Sequence, residues 1–201
     1  MKYASLLITL LAFVSLTAFY KMPEPLKIGD SLPMPELWMN DISGKKINLN
    51  AAKNTNGLLV MFSCNTCPVV VENQSRAKAV CKFASENKIG VIVLNSNEGS
   101  RAGAESIGAM KVYAKRQDYN WYYAEDKNNV LADAFGATRT PENFLFNSKG
   151  KLIYHGAIDD SPQDAGSVKR QHLIQAMEEM LSGKAVSISK TKSIGCGIKR
   201  I

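Results

Sequence analysis

"LLVMFSCNTCPVV" occupies residues 58–70, and its reading decides the fold. The first five residues form an unbroken apolar run, the pattern of a strand covered on both faces. Ser63 follows, then two cysteines three positions apart, then a proline directly after the second. Proline is well placed in the first turn of a helix, where its missing N–H does least harm. The stretch therefore predicts a buried strand that turns into a helix, with Cys64 and Cys67 at the turn. The helix is expected over 65–86, because Val70, Ala77, Cys81 and Ala84 recur at helical spacing.

Working outward, "IGVIVLN" (89–95) reads as a second buried strand. Residues 104–117 predict a helix with Ile107, Met110 and Ala114 inward. "WYYA" (121–124) predicts a short strand, and 128–135 a short helix stopped by Gly136. "NFLFNSKGKLIYHGAI" predicts a hairpin turning at Asn147-Ser148-Lys149-Gly150. Upstream, "ELWMNDISGKKINL" predicts two short strands around Asp41-Ile42-Ser43-Gly44. Downstream, 166–182 predicts an amphipathic helix using Ile174, Met177 and Leu181, stopped by Gly183. The resulting order is β-hairpin, β-α-β-α-β-α, β-hairpin, α. Strands joined by helices imply an α/β class with a parallel core, and the closing hairpin adds antiparallel strands.

The 201 residues suit one ordinary domain, 37–183, with terminal additions. A hydrophobic fraction of 45% supplies a core without disulfides. The proline-rich residues 21–36 read as a linker or extended lead-in, and 184–201 as an irregular basic tail. The net charge of +7 is carried by scattered lysines without interleaved aromatics, which argues against a nucleic-acid partner. Residues 3–20 are uncharged and mostly apolar after Lys2. They read as a signal peptide with an apolar stretch over 6–16, or as an N-terminal membrane anchor. At about 1.5 Å per residue the run reaches roughly 27 Å, just enough to span a bilayer. Both readings place the domain outside the cytoplasm, in the periplasm or another extracytoplasmic space, where disulfides persist.

Four cysteines, Cys64, Cys67, Cys81 and Cys196, are too few for a disulfide scaffold. The close pair can be a metal clamp, a structural staple or a redox couple. A zinc site needs two further ligands, and His155, His172 and Cys196 do not come at ligand spacing. A staple across so small a loop stabilises little. Thiol–disulfide exchange is the best reading. The first amides of a helix lack partners and carry a positive field, which favours a thiolate. Cys64, expected at or just before the helix start, is assigned as the attacking sulfur, with Cys67 one turn in as the resolving one. No cofactor or metal is called for.

"VMFSCNTCPVV", "VLNSNE", "TPENFLFNSKGKLIYHGAIDDS" and the tail "SIGCGIK" resemble the redoxin branch of the thioredoxin-like superfamily, and more closely a group with a Cys-Asn-x-Cys-Pro site and a Gly-Cys-x-Ile-Lys tail. "IGDSLPMPELWMNDISGKKINL" resembles the opening hairpin of proteins related to alkyl hydroperoxide reductase and thiol-specific antioxidant. The resemblance covers about residues 26–199. It implies a thioredoxin-like fold, a central mixed sheet flanked by helices with an N-terminal β-hairpin extension. It also implies that Thr140-Pro141 is a cis peptide facing the cysteines, offering the Thr140 backbone to an extended substrate strand beside Cys64. The partners it implies are protein or small-molecule thiols and disulfides.

Two departures from the pattern matter. Thioredoxin carries a buried carboxylate six residues before its first cysteine, and here that position is Leu58. Proton handling is therefore assigned to Glu142, Asp159 or water. Near relatives often have a cysteine where this chain has Arg139, which is expected to supply positive charge near Cys64. Cys81 lies about 21 Å along the helix from Cys67 and reads as a core residue. Cys196 follows the last helix by a connection that can stretch about 50 Å, against a domain radius of about 16 Å. It is an auxiliary resolving-thiol candidate.

Three functions compete. The leading one is an extracytoplasmic thiol–disulfide oxidoreductase using Cys64 and Cys67. The second is a thiol peroxidase, but Pro-x-x-x-Thr-x-x-Cys fails counted back from either cysteine. The third is a copper metallochaperone with His155 as ligand, although such relatives have one more residue between their cysteines.

Overall fold

The computed structural model describes residues 24–201. The signal or anchor reading of residues 1–20 lies outside them. The apolar run predicted as a central strand is β3 (Gly57–Ser63), in which every residue is buried. It is flanked by β4 (Ile89–Asn95), also buried throughout, and by β7 (Glu142–Asn147). The strands β1 (Met39–Asp41), β2 (Lys46–Ile47), β5 (Tyr122–Glu125) and β8 (Leu152–Gly156) complete a sheet in the order β2-β1-β5-β4-β3-β7-β8. The β3/β4 and β4/β5 pairs are parallel and the others antiparallel. This is the expected mixed sheet, with the N-terminal hairpin added at one edge and the single-turn helix α1 (Leu49–Ala52) leading from it to β3.

Alternation along β3 divides the core. Leu58, Val60 and Phe62 point to one face, where Phe135 of α5 (Val130–Phe135) and Phe144 and Phe146 of β7 pack with them. Phe62 stands edge-on to Phe135 and to Phe144, at 5.3 and 5.7 Å between ring centres. Leu59 and Met61 point to the other face. There they meet α3 (Gln74–Glu86), α4 (Ile107–Arg116) and α6 (His172–Leu181) through Val80, Cys81, Met110, Leu173 and Met177.

Four expectations are corrected. The helix predicted over 65–86 begins only at Pro68. It is also broken at Asn73 into α2 (Pro68–Glu72) and α3. The Asn73 side-chain amide donates to the Val69 carbonyl at 2.7 Å and to the Pro162 carbonyl at 2.6 Å, so a distant loop fixes the break. The last helix buries Leu173, Ala176 and Met177, while Leu181 is exposed and Ile174 only partly buried.

The described part of the lead-in is not a free linker. Leu26 N–H donates to Phe135 O, Gly29 N–H to Leu152 O, and Leu26 and Leu32 pack on the core. The tail is not loose either. It binds β8 through His155 N–H to Ser189 O and Thr191 N–H to His155 O, then forms the strand β9 (Cys196–Gly197). Gly156 permits this crossing, because a Cβ there would lie 2.1 Å from Thr191 Oγ1. Ile198 enters the core beyond it.

Candidate functional site

Strand pairing positions the site. Phe62, near the end of β3, pairs with Glu142, at the start of β7. The chain leaving β3 toward Cys64 therefore passes the segment that enters β7, β6 (Arg139–Thr140) and the cis Thr140–Pro141 bond. Cys64 Sγ lies 3.4 Å from the Thr140 hydroxyl, and Cys67 Sγ lies 3.5 Å from the Thr140 carbonyl oxygen. Both cysteines are buried, at 1% and 4% exposure, and both are free thiols. Together with Val70 they form a small apolar cluster, against which Val69 and Cys196 pack.

Cys67, not Cys64, occupies the helix start. It is the N-cap of α2, with Pro68 as first helical residue, and Cys64 stands in the loop before it. The electrostatics follow. Burial pushes the Cys64 thiol up. The Thr140 hydroxyl opposes this, the buried Glu105 adds to it, and amides of Cys67 and Thr66 oppose it, with a net upward result. Burial also pushes Cys67 up. Hydrogen bonds from the Cys196 side chain, the Val70 amide, the Cys196 amide and the Val69 amide outweigh it, and its thiol lies below the ordinary range. These balances favour the thiolate at Cys67, where the sequence pointed to Cys64. Cys81, in the opposite core, is pushed up to about 12 by burial.

Cys196 arrives from the tail. β9 pairs antiparallel with β6, Thr140 opposite Cys196 and Arg139 opposite Gly197. The backbone edge of Thr140, expected to face a substrate strand, is covered by the chain's own terminus. The expected Arg139 charge beside Cys64 is corrected. The residue is exposed and its guanidinium donates to the Gly195 carbonyl at 3.1 Å, holding the tail.

The carboxylates proposed for proton handling are engaged elsewhere. Glu142 accepts from the amides of Thr138 (2.8 Å) and Arg139 (3.1 Å) and pairs with His155 Nε2 (2.7 Å), bracing the segment before Pro141. Asp159 pairs with Arg76 at 2.6 Å. His155, the suggested copper ligand, is held by Glu142 and stacked on Phe144 at 4.3 Å. Among the described residues no group of three or more His, Cys, Asp or Glu side chains is gathered to hold a metal.

The carboxylate that does reach the cysteine loop is Glu105, which is fully buried. It accepts from the Asn65 amide (2.9 Å), the Thr66 hydroxyl (2.7 Å) and the Asn95 side-chain amide (2.7 Å). Asn95 also donates to the Tyr123 hydroxyl (2.9 Å), which donates to Asn65 Oδ1 (2.8 Å). Every polar side chain of the Cys64–Cys67 loop is thereby fixed. Asn95 was discoverable, since it ends a parallel strand at the sheet's carboxyl edge, where sites of open α/β sheets form. Glu105 stands in a stretch with no distinguishing pattern.

The redoxin family model matches residues 27–171. The structure is similar to that of a hypothetical protein from Sinorhizobium meliloti 1021, with 28% identity and a TM-score of 0.80 over 89% of this chain and 97% of that one. It is equally similar to an uncharacterized conserved protein from Geobacillus kaustophilus, with 27% identity and a TM-score of 0.80 over 86% and 92%. A putative protein disulfide isomerase from Bacteroides thetaiotaomicron shares the fold at 17% identity, with a TM-score of 0.59 over 78% and 91%. No curated protein matches the chain.

Proposed function

The chain belongs to the redoxin family, and from that premise we propose that it is a thiol–disulfide oxidoreductase whose working couple is Cys64 and Cys67. The observation that carries this reading is the convergence of both sulfurs on Thr140, at 3.4 and 3.5 Å, at the start of α2. In the reduced protein Cys67 supplies the thiolate. It attacks one sulfur of a substrate disulfide, forming a mixed disulfide and releasing the other sulfur as a thiolate. Cys64 then gives up its proton and attacks Cys67 Sγ. The Cys64–Cys67 bond forms and the substrate leaves as a dithiol. The reverse sequence oxidises a substrate dithiol.

Substrates are protein or small-molecule thiols and disulfides, as the disulfide isomerase named among the structural neighbours suggests. We place the protein outside the cytoplasm on the strength of residues 3–20, with membrane attachment through the same residues; cell fractionation tests both. Among the described residues no helix is long and apolar enough to cross a membrane.

Equilibration with mixtures of reduced and oxidised glutathione, followed by alkylation and peptide mapping, tests the couple. The wild type is expected to convert to a Cys64–Cys67 disulfide in one two-electron step and to reduce insulin. Cys67→Ser should fall to the uncatalysed rate. A pair that stays reduced throughout would sink the proposal.

A second reading, thiol peroxidase, is favoured by one observation: the low-titrating thiol is Cys67, at a helix start and buried where a small oxidant has access more readily than a polypeptide. Hydrogen peroxide consumption by the reduced protein separates the two readings.

A further inference from the structure

The C-terminal strand raises a question the couple alone does not answer. β9 sits on the backbone edge of Thr140 and covers two sulfurs that are already almost fully buried. The half-buried Cys196 is the most accessible of the three. Its seat is built. Gly195 lies so close to Thr140 that a Cβ would fall 2.0 Å from the Thr140 carbonyl oxygen. Arg139 holds the Gly195 carbonyl from the other strand. Beyond the cysteine, Ile198 N–H donates to Thr138 O, Lys199 N–H to Asn97 Oδ1 (2.9 Å), and Arg200 pairs with Asp133 at 3.0 Å. The helix-free segment that follows α6 is thus pinned on both sides of one cysteine, which packs against the redox pair.

We propose that Cys196 is a third redox thiol of this site and that the oxidised protein interconverts between a Cys64–Cys67 and a Cys67–Cys196 disulfide. The inference rests on the reading of Cys64 and Cys67 as a redox couple. The step is an internal exchange. Cys196 loses its proton and attacks Cys67 Sγ. The Cys67–Cys196 bond forms, the Cys64–Cys67 bond breaks, and Cys64 leaves as a thiolate that takes up the proton. No electrons enter or leave, and no other reactant is needed. The exchange carries the disulfide from the buried sulfurs to the half-buried one, where a substrate thiolate can attack Cys196. The tail then occupies the place of a substrate strand and delivers the disulfide outward.

The electrostatics give the exchange a direction. In the reduced protein Cys196 is held up to about 11, first by its hydrogen bond to Cys67, then by burial and by the charge on Cys67. A Cys67 tied into a disulfide is no thiolate, so the first and third causes vanish. Cys196 becomes the readier nucleophile when the pair is oxidised, and is quiet when the pair is reduced.

The test uses the full chain with Cys64→Ser. Incubated with oxidised glutathione and mapped without reduction, it is expected to lose both remaining site thiols and to yield one cross-linked peptide pair joining Cys67 to Cys196. Free thiols at both positions, or glutathione attached separately to each, would overturn the proposal. Wild-type protein, partly oxidised and acid-quenched, guards against a folding defect in the variant. A Cys67–Cys196 peptide should appear beside the Cys64–Cys67 one, and its complete absence counts against the exchange. The Cys64–Cys67 peptide in the same wild-type map reports on the underlying reading alone. Its absence overturns the redox couple itself rather than the role of the tail.

Discussion

At Cys64, burial meets one hydroxyl and two amides and prevails. At Cys67, burial meets four donors and loses. The two thiols therefore titrate in opposite directions from the ordinary value, although they stand three positions apart. Thiolates alone are alkylated at useful rates. In the reduced protein, iodoacetamide should modify Cys67 at pH values where Cys64 is still protonated, read peptide by peptide by mass spectrometry. Glu105→Gln removes a charge that opposes the Cys64 thiolate, so its profile should move to lower pH. Identical profiles for the two cysteines, matching a free thiol, would show that neither environment acts. The cysteines were legible because their spacing and the following proline are local signals. Which of them heads the helix was not, because that depends on where the helix starts by a few residues. Glu105 was illegible for a different reason. Its importance comes from Asn65, Thr66 and Asn95, brought to it only by folding.

Among the elements, β3, β4 and the β7–β8 hairpin were readable because a strand buried on both faces must be apolar without interruption. The break between α2 and α3 was not, since the group that fixes it is the Pro162 carbonyl, 89 positions from Asn73. β9 is only two residues long, yet it covers the site. Gly195→Ala would put a methyl group against the Thr140 backbone, at 2.0 Å from O and 2.8 Å from C, and neither atom can swing aside. The β6–β9 pairing should be lost. Cys67 would lose the Cys196 donors and gain solvent, so it should titrate higher yet be alkylated faster above its pKa. Unaltered protection of Cys67 in this variant would mean that β9 does not cover the site.

For the whole molecule, two segments, one near each end of the described residues, act as straps over one sheet. The segment from Leu26 to Leu32 ties α5 to β8. The tail crosses β8, seats Cys196, buries Ile198 beside the core of α5 and ends on Asp133. This closure was invisible in the sequence, because the tail has no periodicity and its partners, His155, Thr140, Asn97 and Asp133, are scattered through the chain. Ile198→Ala removes a buried side chain and should cost about 2–4 kcal/mol. Urea denaturation should show this as a lower midpoint with an unchanged slope. A midpoint within error of the wild type would mean that the tail is docked but contributes nothing to stability.

Because Lys199 and Arg200 hold the proposed third thiol from just beyond it, a proteolytic nick after Ile198 would keep the apolar plug and free the sulfur. Preparations differing only by the loss of residues 199–201 should then differ in redox behaviour while folding alike.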